Sequence, residues 1–171
     1  MSGDVTIAAA KRALAAAAEH LPELAALART VRVSVSSKLA TAGVFRSGRM
    51  ALNPDWFGAL DPGAQEFVIA HELLHLLLRT HDRAEGSPAG AFNLAHDAVI
   101  NDLLFRRLGR TPPASGVWLP GAAAMAAEEL LNCPLGEPSY DALRDDALDD
   151  ELERQLFGHD PTLADRGWGK E

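Results

Sequence analysis

Five consecutive residues, His71-Glu72-Leu73-Leu74-His75, carry the strongest chemical pattern in the chain. They read H-E-x-x-H and sit inside an apolar run, with Phe67-Val68-Ile69-Ala70 before and Leu76-Leu77-Leu78 after. On a helix, positions four apart share a face, so His71 and His75 can grip one cation together. Glu72 stands one step round from His71 and can reach a water on that cation. A cation held by neutral imidazoles lowers the pKa of its water from about 16 to about 7. A neighbouring carboxylate can then take the proton. The plain alternative is a buried helix with two hydrogen-bonded histidines and an ion-paired glutamate. Burying three such groups among Leu, Ile and Val is costly without strong partners. A metal and its water are such partners, so the metal reading is preferred.

A catalytic zinc commonly takes three protein ligands and keeps a position open for water. His71 and His75 supply two. Candidates for the third are Asp97, His96, His81 and, more remotely, Glu85. Asp97 is favoured, because a ten-residue loop can lay its helix beside the first. Asn93, Asp97 and Asn101 are spaced by four and form one polar line on an otherwise apolar helix. Asn93 and Asn101 are expected to hydrogen-bond the carboxylate or a ligating imidazole from behind. His96 points about 100° away from Asp97 on the same helix. It is instead the first candidate to stabilise transition-state charge beyond the metal, ahead of His81 and Tyr140.

The elements that must position these residues follow from pattern and punctuation. Residues 4–19 are Ala-rich and favour a helix, and a short helix is expected over about 22–29, after Pro22. Val31-Arg32-Val33-Ser34-Val35 alternates as a half-buried strand does. Thr41-Ala42-Gly43 reads as a turn. Val44-Phe45 and Met50-Ala51-Leu52 flank Ser47-Gly48 and suggest a hairpin. Asn53-Pro54 leaves the sheet, since proline lacks a ladder donor. Asp61 as cap and Pro62 at the first position start a long helix, about 62–80, that carries the H-E-x-x-H. A polar loop over 80–90 leads to a second apolar helix, about 91–108, ended by Gly109. Residues 111–121 read as an irregular linker, 122–131 as a helix, 140–157 as a weaker acidic helix, and the end from Gly158 as frayed. Arg106, Arg107 and Arg110 suit the negative end of the second helix. Cys133 reads as a structural thiol.

Bulk properties narrow the classes. The chain has 171 residues, 47% hydrophobic and 23% charged, which suits one globular domain. That domain is expected to divide into N-terminal helices over 1–30, a sheet and two site helices over 31–110, and an acidic helical region over 111–171. Residues 1–127 carry a net charge of +1 and residues 128–171 a net charge of −9. No basic patch suits nucleic acid, no apolar run is long enough for a membrane span, and the start is not patterned as a signal peptide. A single cysteine allows no internal disulfide and points to a reducing, cytoplasmic setting.

Residues 30–131 resemble the putative metallopeptidase domain that commonly precedes a von Willebrand A-like domain in bacterial proteins. The matching pieces are Asn53-Pro54, the run from His71 to Arg79, and Asn93-Leu94-Ala95-His96-Asp97-Ala98-Val99-Ile100-Asn101, with Glu128-Glu129-Leu130-Leu131 a looser match. H-E-x-x-H is shared by many zincins, so the second motif is the distinguishing one. The resemblance implies a zincin-like α+β fold, mostly helical, with a small mixed sheet packed on the active-site helix. It implies His71, His75 and Asp97 as zinc ligands and Glu72 as general base. The chain departs from the pattern in leaving no room for a von Willebrand A-like domain, which is expected as a separate partner chain if it is used at all.

The leading expectation is a zinc-dependent peptidase acting on a peptide or protein, with the strand near residues 44–52 pairing with an extended substrate. The alternative is a zinc-binding interaction module without turnover, in which metal binding adds to folding free energy. A third, plainer alternative is a helical domain without metal.

Overall fold

The computed structural model describes residues 3–113, 116–131, 147–148 and 150–157. In chain order these form α1 (Gly3–His20), a 3-10 turn (Pro22–Leu24), α2 (Ala25–Thr30), β1 (Arg32–Val35), β2 (Ala42–Phe45), β3 (Arg49–Leu52), α3 (Pro54–Ala59), α4 (Pro62–Leu77), α5 (Thr80–Arg83), α6 (Ala89–Leu108), a second 3-10 turn (Ala122–Ala124), α7 (Ala127–Leu130), β4 (Ala147–Leu148) and α8 (Asp150–Phe157). Helix dominates, and the one small sheet mixes parallel and antiparallel pairs, as an α+β chain does. No helix among the described residues is long and apolar enough to cross a membrane.

Alanine decides how closely the helices approach. Ala9, Ala10, Ala13 and Ala17 of α1 are buried, with Thr6 and Leu14 beside them. That face lies mainly against α4. Small side chains let the two backbones come close, and the apolar area removed from water stabilises the pair at roughly 25 cal/mol per Å². At about 100° per residue, Ile69, Ala70, Leu73 and Leu74 occupy one side of α4, and His71, Glu72 and His75 the other. The apolar side joins Leu21, Leu24, Val44, Met50, Leu52 and Phe57 in the main core. The polar side is left to face α6, which also packs on α4.

The sheet runs in the order β1-β3-β2-β4. β1 pairs parallel with β3, Val35 opposite Leu52. β2 pairs antiparallel with β3, Ala42 opposite Leu52 and Val44 opposite Met50. The hairpin closes at Ser47-Gly48, where Gly48 takes φ 80° and its N–H reaches the Phe45 carbonyl at 2.9 Å. Ala42 and Gly43 therefore lie in the strand, not in the turn expected at Thr41-Ala42-Gly43. Their small side chains gave no strand signal, and burial against the core overrides local propensity. β4 pairs parallel with β2, Val44 opposite Ala147. Both β2 and β3 are thus flanked on two sides, which removes residues 44–52 as a free edge for a peptide.

Two caps fix where helices begin. Asn53 Oδ1 accepts from the Asp55 and Trp56 amides, and Asp61 Oδ1 from those of Gly63 and Ala64. The expected polar loop after α4 contains the helical turn α5, and the expected helix over 122–131 is broken at Met125, whose ψ is 155°. Asp102 explains the break. Its Oδ2 accepts from the Gly121 and Ala123 amides at 3.2 and 3.0 Å and meets Arg106 at 3.0 Å. The chain is held in a tight turn there, and α7 restarts with Glu129 accepting from the Ala126 amide at 2.9 Å. The expected helix over 140–157 is strand at Ala147–Leu148 and helix from Asp150; the rest of that span, with Tyr140, and Cys133 lie outside the described residues.

Burial opposes ionisation of Asp102, but the Ala123 and Gly121 amides and the Arg106 guanidinium outweigh it, and the carboxyl titrates below its usual range. A carboxyl lowered on folding stabilises above its unfolded pKa and loses that contribution as pH falls through the folded value. Asp102→Asn is therefore expected to cost about 1–3 kcal/mol near neutral pH. Urea unfolding of both proteins should show the gap closing as pH drops below 3.8, the value of an unshifted aspartate.

Candidate metal centre

α4 and α6 meet through their polar sides. His71, His75 and Asp97 bring one ligand-capable atom each within 4.8 Å of the others, and all three residues are buried. His71 Nε2 and His75 Nε2 are 2.9 Å apart. Asp97 Oδ1 lies 3.1 Å from His75 Nε2 and 3.5 Å from His71 Nε2. Ligands about 2.0–2.1 Å from a four-coordinate zinc stand about 3.3 Å from one another. The three separations bracket that spacing.

The far sides of the rings show which lone pairs are available. Asn101 Oδ1 lies 2.8 Å from His71 Nδ1, and Asn101 Nδ2 donates to the Val117 carbonyl at 2.7 Å. The second bond fixes which end of the amide is oxygen, so His71 must carry its proton on Nδ1 and present a bare Nε2. His75 Nδ1 lies 2.9 Å from Thr80 Oγ1. Asp97 Oδ1, though buried, receives no hydrogen bond of good geometry. A bare imidazole nitrogen and an undonated carboxylate oxygen, out of water and turned on one point, suit a cation. Two imidazoles and a carboxylate are a donor set that zinc accepts.

The electrostatics fit the same use. Burial pushes His75 down to about 4 and His96 down to about 3, so both rings are neutral near pH 7. Burial works against the Asp97 charge, but a proton entering the cluster rests on the imidazoles facing it rather than on the carboxyl, which titrates well below the ordinary range. Ligand groups must be deprotonated to bind metal, as His75 and Asp97 are near neutral pH.

Glu72 is 2% exposed, one step along α4 from His71 and on the same polar side. Asn93 shares the α6 face with Asp97 and is buried, but its Oδ1 has no hydrogen-bond partner, so it accepts from neither imidazole in the way Asn101 does from His71. His96 is 1% exposed and stands behind His75, with ring centres 5.8 Å apart. Its Nδ1 lies 2.7 Å from Thr80 Oγ1. His81 is part of α5 and Glu85 pairs with Arg46 at 3.5 Å; neither belongs to the cluster.

Sequence reasoning missed Thr80, which opens a polar loop on paper and is fully buried in the fold. Arg79 puts it there. It follows α4 in the left-handed region, φ 55° and ψ 47°, a conformation costing a non-glycine residue about 1–2 kcal/mol. The turn it makes carries Thr80 back beneath both His75 and His96. Arg83, one turn further, grips Glu128 with two bonds of 3.0 and 2.6 Å and ties α5 to α7. A left-handed arginine has no sequence signal; Asn or Gly there would have given one.

A family model described as "Putative metallopeptidase domain" matches residues 6–167. No curated protein and no solved structure matches the chain.

Proposed function

The chain belongs to this metallopeptidase family, and from that premise we propose that it is a zinc-dependent peptidase of zincin type, with His71, His75 and Asp97 as ligands and Glu72 as general base. The observation that supports it best is the convergence of three buried donor atoms at 2.9–3.5 Å. Bound there, zinc would supply a water of lowered pKa and a positive charge to polarise the scissile carbonyl. Glu72 takes the proton of the attacking water and passes it to the leaving amine. Asn101 and Thr80 hold the two imidazoles by their Nδ1 atoms, so the rings do not turn as charge develops. The substrate is a peptide or protein segment, and a separate von Willebrand A-like chain is the partner that the resemblance suggests.

The test joins metal content and turnover. The purified chain is expected to carry near one zinc per molecule, identified by anomalous scattering at the three ligand atoms, and to cleave unstructured peptides in a chelator-sensitive way. A purified chain without near-stoichiometric zinc would sink the reading.

One observation favours the second reading, a zinc module without turnover. β4 already occupies the outer side of β2 at Val44 and Phe45, where an extended peptide would otherwise find backbone partners. A parent protein that binds zinc and cleaves none of a broad peptide library would establish it.

A further inference from the structure

Thr80 holds one proton and touches two imidazoles. Its Oγ1 lies 2.9 Å from His75 Nδ1 and 2.7 Å from His96 Nδ1. The residue is fully buried, so neither water nor a loose rotamer relieves an ill-matched contact. A hydroxyl donates once and accepts twice. With two ring nitrogens as its partners, its proton can go to only one of them, so at least one ring must donate to it.

The choice decides whether His75 can bind metal. If Thr80 donated to His75, that ring would carry its proton on Nε2, the atom aimed at His71 and Asp97. A ligand needs Nε2 bare, hence a proton on Nδ1, donated to Thr80. Thr80 is then free to donate to His96 Nδ1, in which case His96 carries its own proton on Nε2. That nitrogen lies 3.5 Å from Arg83 Nη1, at the long limit of a hydrogen bond, so this arrangement requires that Nη1 not donate to it; Arg83 Nε and Nη2 are the atoms that hold Glu128.

We infer that Thr80 and His96 are positioning residues: His96 accepts the Thr80 proton, which obliges Thr80 to accept from His75 and fixes that ring in its metal-binding tautomer. The inference rests on His75 being a ligand and assigns His96 away from the transition state. It explains why the two ligand imidazoles are held differently. His71 faces an amide oxygen that can only accept, so its tautomer is set outright. His75 faces a hydroxyl that could do either, and a second ring must settle the direction.

The experiment uses the full chain labelled with 15N in its histidines, together with Thr80→Val and Thr80→Ser. Long-range proton–nitrogen spectra distinguish the two tautomers of a ring. In the parent, His96 is expected with its proton on Nε2, and zinc-loaded His75 with its proton on Nδ1. Zinc affinity, read by competition with a chromogenic chelator, is expected to fall about 10–100-fold in Thr80→Val and to recover in Thr80→Ser, which keeps the hydroxyl. A His96 proton on Nδ1 overturns the inference, and so does a folded Thr80→Val with parental affinity. The spectra of the parent decide the matter even where the valine variant does not fold. A parent that takes up no zinc overturns the metal reading itself, and is told apart from these outcomes by that fact alone.

Discussion

Glu72→Gln is expected to abolish hydrolysis while leaving zinc content and fold untouched. The exchange keeps the size and shape of the side chain and removes its charge and its ability to accept a proton. Glu72 is 2% exposed on α4, and a buried carboxylate is costly to hold, so its neutral replacement should not lower stability. General-base catalysis contributes on the order of 100- to 10,000-fold, and a loss of kcat/KM in that range is the expected result. Circular dichroism and metal analysis check that nothing else has changed. A variant that keeps half the parental rate would show that another group takes the proton. A parent as inactive as the variant, with metal and partner binding equal in both, would support the module without turnover.

Asp97→Ala is expected to have an effect of similar size, read on metal rather than on rate. Structural zinc sites contribute about 10–16 kcal/mol of binding free energy. Spread over four coordination positions, one ligand accounts for roughly 3 kcal/mol, or about 100-fold in affinity. The consequence for stability follows by mass action, because a ligand that binds only the folded chain stabilises it by about 2.7 kcal/mol at 100 times its Kd. In the parent, Tm should rise on adding zinc and drop back on adding chelator. In Asp97→Ala the zinc-dependent gain should largely vanish at the same zinc concentration. Glu85→Ala provides the contrast, since Glu85 pairs with Arg46 and contributes no ligand atom to the cluster. A zinc-dependent gain in Asp97→Ala equal to that of the parent would remove the carboxylate from the set.

The readable parts of this fold were those with long period or a chemical reason for their spacing. H-E-x-x-H and the polar line at 93, 97 and 101 are patterns of four on helices, and the fold turns both toward one place. Asn53-Pro54 and Asp61-Pro62 carry their caps in their side chains, so α3 and α4 begin where the residues indicate. What escaped was set by contacts distant in sequence. Ala42 and Gly43 join a strand because β3 and the core receive them. Residues 122–131 break because Asp102, some twenty residues earlier, takes the Gly121 and Ala123 amides. Asn93 has the same spacing as Asn101 and none of its bonds. Periodicity assigns a face of the helix, but not the depth at which a partner stands.

Asn101 gives the metal centre a second owner. Its oxygen steadies His71 while its nitrogen holds the Val117 carbonyl. Residues 116–119 are irregular, with no ladder or helix to keep them in place. The orientation of His71 is therefore linked to the posture of a surface segment well outside the cluster. A binding partner that pulled on that segment would loosen the imidazole without touching it, and a mutation there would be felt as a change in metal grip.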